Sequence, residues 1–125
     1  MEADWKRAKV LEGVTKHINT PQGTLHLTFN YDANSLVEVI GHLGKSGTYA
    51  CKQLDMLCRI LSIILQTPLS RVKIVKKIKK SLFDMNMEMP FEWEGKNYEG
   101  VEDYIFKSVV HEIQTKELQE ELSAD

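Results

Sequence analysis

The segment TLHLTFN, residues 24–30, alternates without a break: Leu25, Leu27 and Phe29 fall on one face, Thr24, His26 and Thr28 on the other. A period of two is what a strand with one buried face requires, because successive side chains leave opposite sides of the backbone. Beyond Gly44 the period changes. Leu54, Leu57, Leu61, Ile64 and Leu65 recur at steps of three and four, the spacing of a helix that buries one stripe. A chain that carries both patterns in that order has to lay helix on sheet.

The flanks of the alternating segment supply its partners. VLEGVTKHI, residues 10–18, alternates loosely around Gly13, and TPQG at 20–23 is a turn: proline fixes φ and glycine permits a positive one. YDANS closes a second hairpin, and LVEVIGHL returns as a strand with Val37 and Val39 facing one way. Thr67-Pro68 predicts a helix start, with threonine as N-cap and Val72, Val75, Ile78 and Leu82 turned inward. After a polar-aromatic connection over 83–100, a last helix over about 101–122 buries Ile105, Val109 and Ile113 and ends in an acidic tail. The expected fold class is α+β: a small antiparallel β-sheet of three or more strands packed against about three helices, in the order ββ(β)ααα.

With 125 residues the chain is expected to be one domain, 1–125, with a core over 7–113, a polar N-terminal lead-in and an acidic helix tail. Its 42% hydrophobic and 27% charged residues belong to a globular protein rather than a disordered one. The net charge of -2 gives no global basic field to draw it onto nucleic acid. Cys51 and Cys58 lie on one predicted helix, roughly 10 Å apart at 1.5 Å rise per residue, too far for an intrahelical bridge. MEADWKRAKVLEG has no continuous apolar core of a signal peptide, and the apolar segment 60–65 is far short of a membrane span. A reducing cytoplasm is the expected compartment, with no membrane partner.

Several stretches carry candidate chemistry, each beside a plainer explanation. In VIGHLGKSGTYAC, Gly41 and Gly44 are only three apart, so the spacing of a phosphate-binding P-loop is excluded. An anion can still sit where the helix begins, because the first N–H groups have no intrahelical partners; Lys45, Ser46, Thr48 and Tyr49 would add a charge, two hydroxyls and a ring. The plainer explanation is a strand-to-helix connection with Ser46 or Thr48 as N-cap. Cys51 lies near that helix start beside Lys52, yet both cysteines share the phase of the leucine stripe, which favours core packing. His17, His26, His42 and His111 form no H-x-x-x-H pair; His26 and His42 are expected on the polar sheet face, solvated or hydrogen-bonded. No serine–histidine–acid pattern or paired carboxylate stands out, and the chain reads as non-enzymatic.

SRVKIVKKIKKS places Arg71, Lys73, Lys76, Lys77, Lys79 and Lys80 on one helix without an acid. It is either a phosphate contact or the solvated face of an amphipathic helix, the latter favoured, with Glu117, Glu120 and Glu121 as possible electrostatic partners. In MNMEMPFEWEGKNYEG, three methionines accompany Phe91, Trp93 and Tyr98. An interface or pocket wall fits that composition, as does a β-hairpin turning at Glu94-Gly95.

RAKVLEGVTKHINTPQGTLHLTFNYD followed by LVEVIGHLGKSGTYACKQLDMLCRILSIIL resembles the TSCPD domain, found at the C-terminus of adenosylcobalamin-dependent ribonucleotide reductases and in small stand-alone proteins. The similar elements are Leu11 to Gly13, Thr20-Pro21 with Gly23, the Gly44/Gly47 turn and the helix ending before Thr67-Pro68. GVEDYIFKSVVHEI resembles the family's closing helix, with Asp103 matching its aspartate. The family's four cysteine positions read here Gln22, Lys45, Phe83 or Asp84, and Val101, and its proline is Glu102. The resemblance therefore implies the family's geometry, with those four positions close together, but neither its metal nor its redox chemistry.

The expected function is non-enzymatic binding or sequestration of an anionic, nucleotide-like small molecule at the Gly44–Gly47 turn and helix N-terminus. Gln22, Lys45, Ser46, Thr48, Tyr49, Trp93 and Asp103 are the expected ligand contacts, with no cofactor and no metal. The apolar loop suggests a homo-oligomer. The first alternative is a ribonucleotide-reductase-related accessory protein acting through protein contacts; the second is a nucleic-acid backbone binder using the lysine helix.

Overall fold

The computed structural model describes residues 6–45, 47–67, 71–81 and 89–123, with side chains as far as Thr115. Ser46, Pro68, Leu82, Phe83, Asp84 and the acids of the tail (Glu117, Glu120 and Glu121) therefore lie outside the described residues or side chains.

Three antiparallel strands, β1 (Glu12–Thr20), β2 (Gly23–Asp32) and β3 (Ser35–Leu43), form a sheet in the order β1-β2-β3. The strict alternation of β2 does what its period requires, and Leu25, Leu27 and Phe29 are fully buried. Ala33 and Asn34 both take positive φ, 48° and 71°, as a two-residue hairpin between twisted strands needs. A register shift between Asn30 and Tyr31 adds one residue to the pairing, and beside it both Leu36 and Val37 are buried.

Helix α1 (Tyr49–Leu65) starts on Thr48, whose hydroxyl accepts the Cys51 N–H, so Thr48 is the N-cap. Its buried stripe is Cys51, Leu54, Cys58, Leu61 and Leu65. The helix also runs along the free edge of β3. Ser62 Oγ accepts the Val39 N–H at 2.9 Å and donates to the Val39 carbonyl at 3.1 Å, while Gln66 Nε2 donates to the Val37 carbonyl at 3.0 Å. Backbone groups that a further strand would pair with are thus occupied by side chains. Gly41 permits this close packing, because a Cβ there would lie 2.8 Å from Cys58 Sγ.

The cap expected at Thr67 would act on the N–H groups of residues 69 and 70, which lie outside the described residues. The Thr67 hydroxyl donates to the Ile64 carbonyl at 2.7 Å and its N–H bonds the same oxygen at 3.1 Å, just past the α1 C-cap Gln66. Helix α2 is described from Arg71 to Ser81, anchored by Arg71 Nη1 on the Leu36 carbonyl and Ser35 Oγ, each 2.9 Å. Val75 is buried, with Val72 and Ile78 packed against the core.

The aromatic connection contains the hairpin read from Glu94-Gly95: β4 (Phe91–Trp93) pairs with β5 (Lys96–Tyr98) across those two positive-φ residues. Helix α3 (Val101–Ser123) buries Tyr104, Ile105, Phe106, Val109 and Ile113. The order is βββααββα, an α+β fold with one sheet face packed on helices and the other open.

Candidate functional site

The two glycine turns meet. Gly44 N–H donates to the Thr24 carbonyl at 3.1 Å, and a Cβ at Gly44 would lie 3.4 Å from the Gln22 carbonyl oxygen. Gln22 and Lys45, both exposed, are therefore brought to adjoining turns. The fourth family position, Val101, is buried in the core; the third, Phe83 or Asp84, lies outside the described residues.

At the turn itself the polar groups are largely engaged with each other. The Thr48 hydroxyl donates to the Lys45 carbonyl at 2.9 Å and accepts the Cys51 amide at 3.3 Å. The Tyr49 side chain stands in solvent, 76% exposed. The adjacent groove, about 330 Å³, is lined by Ile40, Gly41, His42, Gly47, Cys51, Lys52 and Asp55.

His17, His26 and His42 are cross-strand neighbours on the open sheet face, with ring centroids 4.3 Å and 6.3 Å apart in succession. His42 Nε2 lies 3.1 Å from the Gly44 carbonyl, which can only accept, so this nitrogen carries the proton. Nδ1 lies 3.5 Å from Cys51 Sγ. Cys58 is fully buried, and desolvation pushes its thiol up to about 12, so it stays protonated at neutral pH. Among the described residues, no group of three or more His, Cys, Asp and Glu side chains is arranged to hold a metal ion.

The lysine-rich helix divides. Arg71 is spent on β3 and Lys79 on Asp103, whereas Lys73, Lys76, Lys77 and Lys80 are exposed. That leaves a solvated face with two structural anchors.

A second cavity lies elsewhere, between β1, the β4–β5 hairpin and α3. It is a cleft of about 490 Å³, within the range of small-molecule pockets. Lys16, Lys96 and Lys107 bring three cations to its wall; Trp93, Tyr98 and Tyr104 bring three rings. Asn97, Ser108 and His111 add hydrogen-bonding groups, and Glu94 is the acid among the lining residues. The contribution of α3 is one face, Tyr104, Lys107, Ser108 and His111, at helical steps of three, four and seven.

Each wall is braced. Tyr98 meets Tyr104 edge-on at 4.9 Å and Phe91 at 5.5 Å. Lys107 Nζ sits 5.4 Å from the Tyr98 ring centroid and 3.0 Å from Asp103. Lys16 Nζ lies 5.7 Å from the Phe29 ring and 3.7 Å from Glu112, which also accepts the Tyr31 hydroxyl at 2.8 Å. Burial and that carboxylate together push the Tyr31 phenol well up.

Asp103 stands behind the cleft. It is 2% exposed and accepts from Lys79 at 3.1 Å, Lys107 at 3.0 Å and the Glu99 N–H at 3.0 Å. Burial alone would raise its carboxyl, but the Glu99 amide and the two ammonium groups outweigh it and hold the group below the ordinary carboxylate value.

Of the expected contacts, Gln22, Lys45, Thr48 and Tyr49 sit at the adjoining turns, Trp93 in the cleft, and Asp103 beneath Lys107. Ser46 lies outside the described residues. The lysines at 16, 96 and 107 and the rings of Tyr98 and Tyr104 were not legible as a group. The available signals were the polar-aromatic face of α3 and the lysine and tyrosine of β5.

Fold and site together define a small α+β domain, one face of its sheet covered by helices and a cationic, aromatic-lined cleft at its side. The chain belongs to the TSCPD domain family, whose family model matches residues 3–113. TSCPD domains occur in ribonucleotide-reductase-related proteins. No curated protein and no solved structure matches the chain. No helix among the described residues is long and apolar enough to cross a membrane.

Proposed function

We propose that this chain is a non-enzymatic binding protein for an anionic, ring-bearing small molecule of nucleotide type, held in the cleft between β1, the β4–β5 hairpin and α3. One observation carries the reading: three lysines and the rings of Trp93, Tyr98 and Tyr104 line one cavity of about 490 Å³. A base stacks on any π-face, and removal of one such ring costs about 1–3 kcal/mol per base. Hydrogen bonds from an ammonium to a phosphate are charge-assisted, about 1.5–3 kcal/mol each. Asp103 and Glu112 act as positioning residues that hold Lys107 and Lys16 from behind. Lysines and rings with Asp103 and Glu112 behind them suit retention and sequestration of such a ligand.

Calorimetry with ADP, pyrophosphate and adenosine as probes tests this. ADP is expected to bind more tightly than either fragment. Lys107→Glu and Trp93→Ala are each expected to weaken it about tenfold or more, from the contact energies above. Lys45→Glu distinguishes the cleft from the Gly44–Gly47 turn: unchanged affinity supports the cleft, and loss confined to this variant moves the ligand to the turn. Family membership supports a second reading, an accessory protein of a ribonucleotide reductase acting through contacts. That reading expects co-purification with a reductase subunit and fails if none is retained.

A further inference from the structure

We propose that the outer edge of β1 is a self-association site, at which two copies pair antiparallel about a two-fold axis through Val14 and join their sheets into one of six strands. The two sheet edges are finished differently. On β3, the outward groups of Val37 and Val39 are taken by Gln66 and Ser62 of α1. The phase of β1 follows from the bond between Gly44 N–H and the Thr24 carbonyl, which turns the even residues of β2 toward β3. The odd residues Leu25, Leu27 and Phe29 then bond to Ile18, Lys16 and Val14 of β1. The backbone groups of Gly13, Thr15, His17 and Asn19 consequently point away from the sheet, and among the described residues none has a backbone partner beyond it.

Such an edge is a template for another strand, and its side chains select a second copy. With the axis at Val14, Gly13 pairs with Thr15 of the other copy through backbone hydrogen bonds. The intervening non-hydrogen-bonded pairs, whose Cα atoms approach to about 4.5 Å, are Val14 with Val14 and Glu12 with Lys16, the latter twice. Val14, an apolar residue left 54% exposed, is then covered. Neighbouring registers lose this match. An axis at Lys16 opposes two lysines, an axis at Glu12 opposes two glutamates, and an axis at Thr15 sets Glu12 against Ile18. β1 also lacks the proline that would keep a further strand away.

The inference does not rest on ligand binding, although Lys16 lines the cleft, and its test reads mass alone. In sedimentation velocity across a concentration series, the full chain is expected to run at about twice its 14.4 kDa. Glu12→Lys is expected to return it to the single-chain mass, and Glu12→Lys combined with Lys16→Glu to restore the dimer. Under mild oxidation Val14→Cys is expected to cross-link two chains, since Cys51 and Cys58 are buried, whereas Thr15→Cys is not. A wild-type chain that stays at 14.4 kDa throughout overturns the proposal. So does a dimer indifferent to Glu12→Lys whose Val14→Cys variant fails to cross-link, since association would then use another surface or partner.

Discussion

Gly41 carries no side chain because α1 occupies the space. A methyl group there would lie 2.8 Å from Cys58 Sγ and 3.4 Å from Leu54 Cδ2, and Cys58 is fully buried with no room to retreat. Gly41→Ala is expected to cost about 1–3 kcal/mol, the usual penalty of overpacking, in urea unfolding. The loss should shrink when Cys58→Ala removes the sulfur, and equal penalties in both backgrounds would mean that the strain arises elsewhere. Asp103 sets a pH dependence. Because its folded-state carboxyl sits below the unfolded value of about 3.9, its stabilisation is fully present above that value and is lost as pH falls through the folded one. Asp103→Asn is expected to lose about 2–3 kcal/mol at neutral pH, the scale of hydrogen bonds to a charged group. Unfolding at neutral and acid pH should show the gap from wild type closing in acid. The sequence placed Asp103 among the residues that matter but could not supply its partners: Lys79 comes from a different helix, and only packing sets that distance.

At the scale of elements, the α1–β3 contact shows what a periodic pattern conveys. The leucine stripe marked a helix with one buried face, and Leu54, Leu61 and Leu65 occupy it. Leu57 and Ile64 are only half-buried, because the helix lies along the sheet edge as well as over its face. That position makes Ser62 a substitute for a missing strand. Ser62→Ala is expected to cost about 1–3 kcal/mol, since it leaves the Val39 N–H without a partner. Hydrogen exchange at Val39 should accelerate more than at residues paired within the sheet; uniform acceleration would point to global destabilisation instead. The hairpin at Glu94-Gly95 was legible as an alternative only, since three-residue strands are too short for alternation to separate them from a loop.

For the molecule as a whole, a ligand that binds only the native state adds about 2.7 kcal/mol at a hundred times its dissociation constant. In a domain of this size that corresponds to roughly 10 °C in Tm. ADP is expected to give such a shift in wild type and to lose most of it in Lys107→Glu; an unchanged shift in that variant would remove Lys107 from the binding surface. The sequence by itself determined the α+β class, the three strands with their two hairpin turns, the helical stripes and Thr48 as a possible cap. Each of these is written within one turn or one short run of residues, where sterics and periodicity act locally. Only the tertiary structure decided that Lys16 of β1, Trp93 and Lys96 of the hairpin and Lys107 of α3 share one cleft. It also decided that the edge of β3 is finished by a serine, while among the described residues the edge of β1 has no backbone partner. The physical reason is that convergence depends on how helices and hairpin pack over the sheet, a sum of contacts between segments far apart in the chain that leaves no period in any one of them.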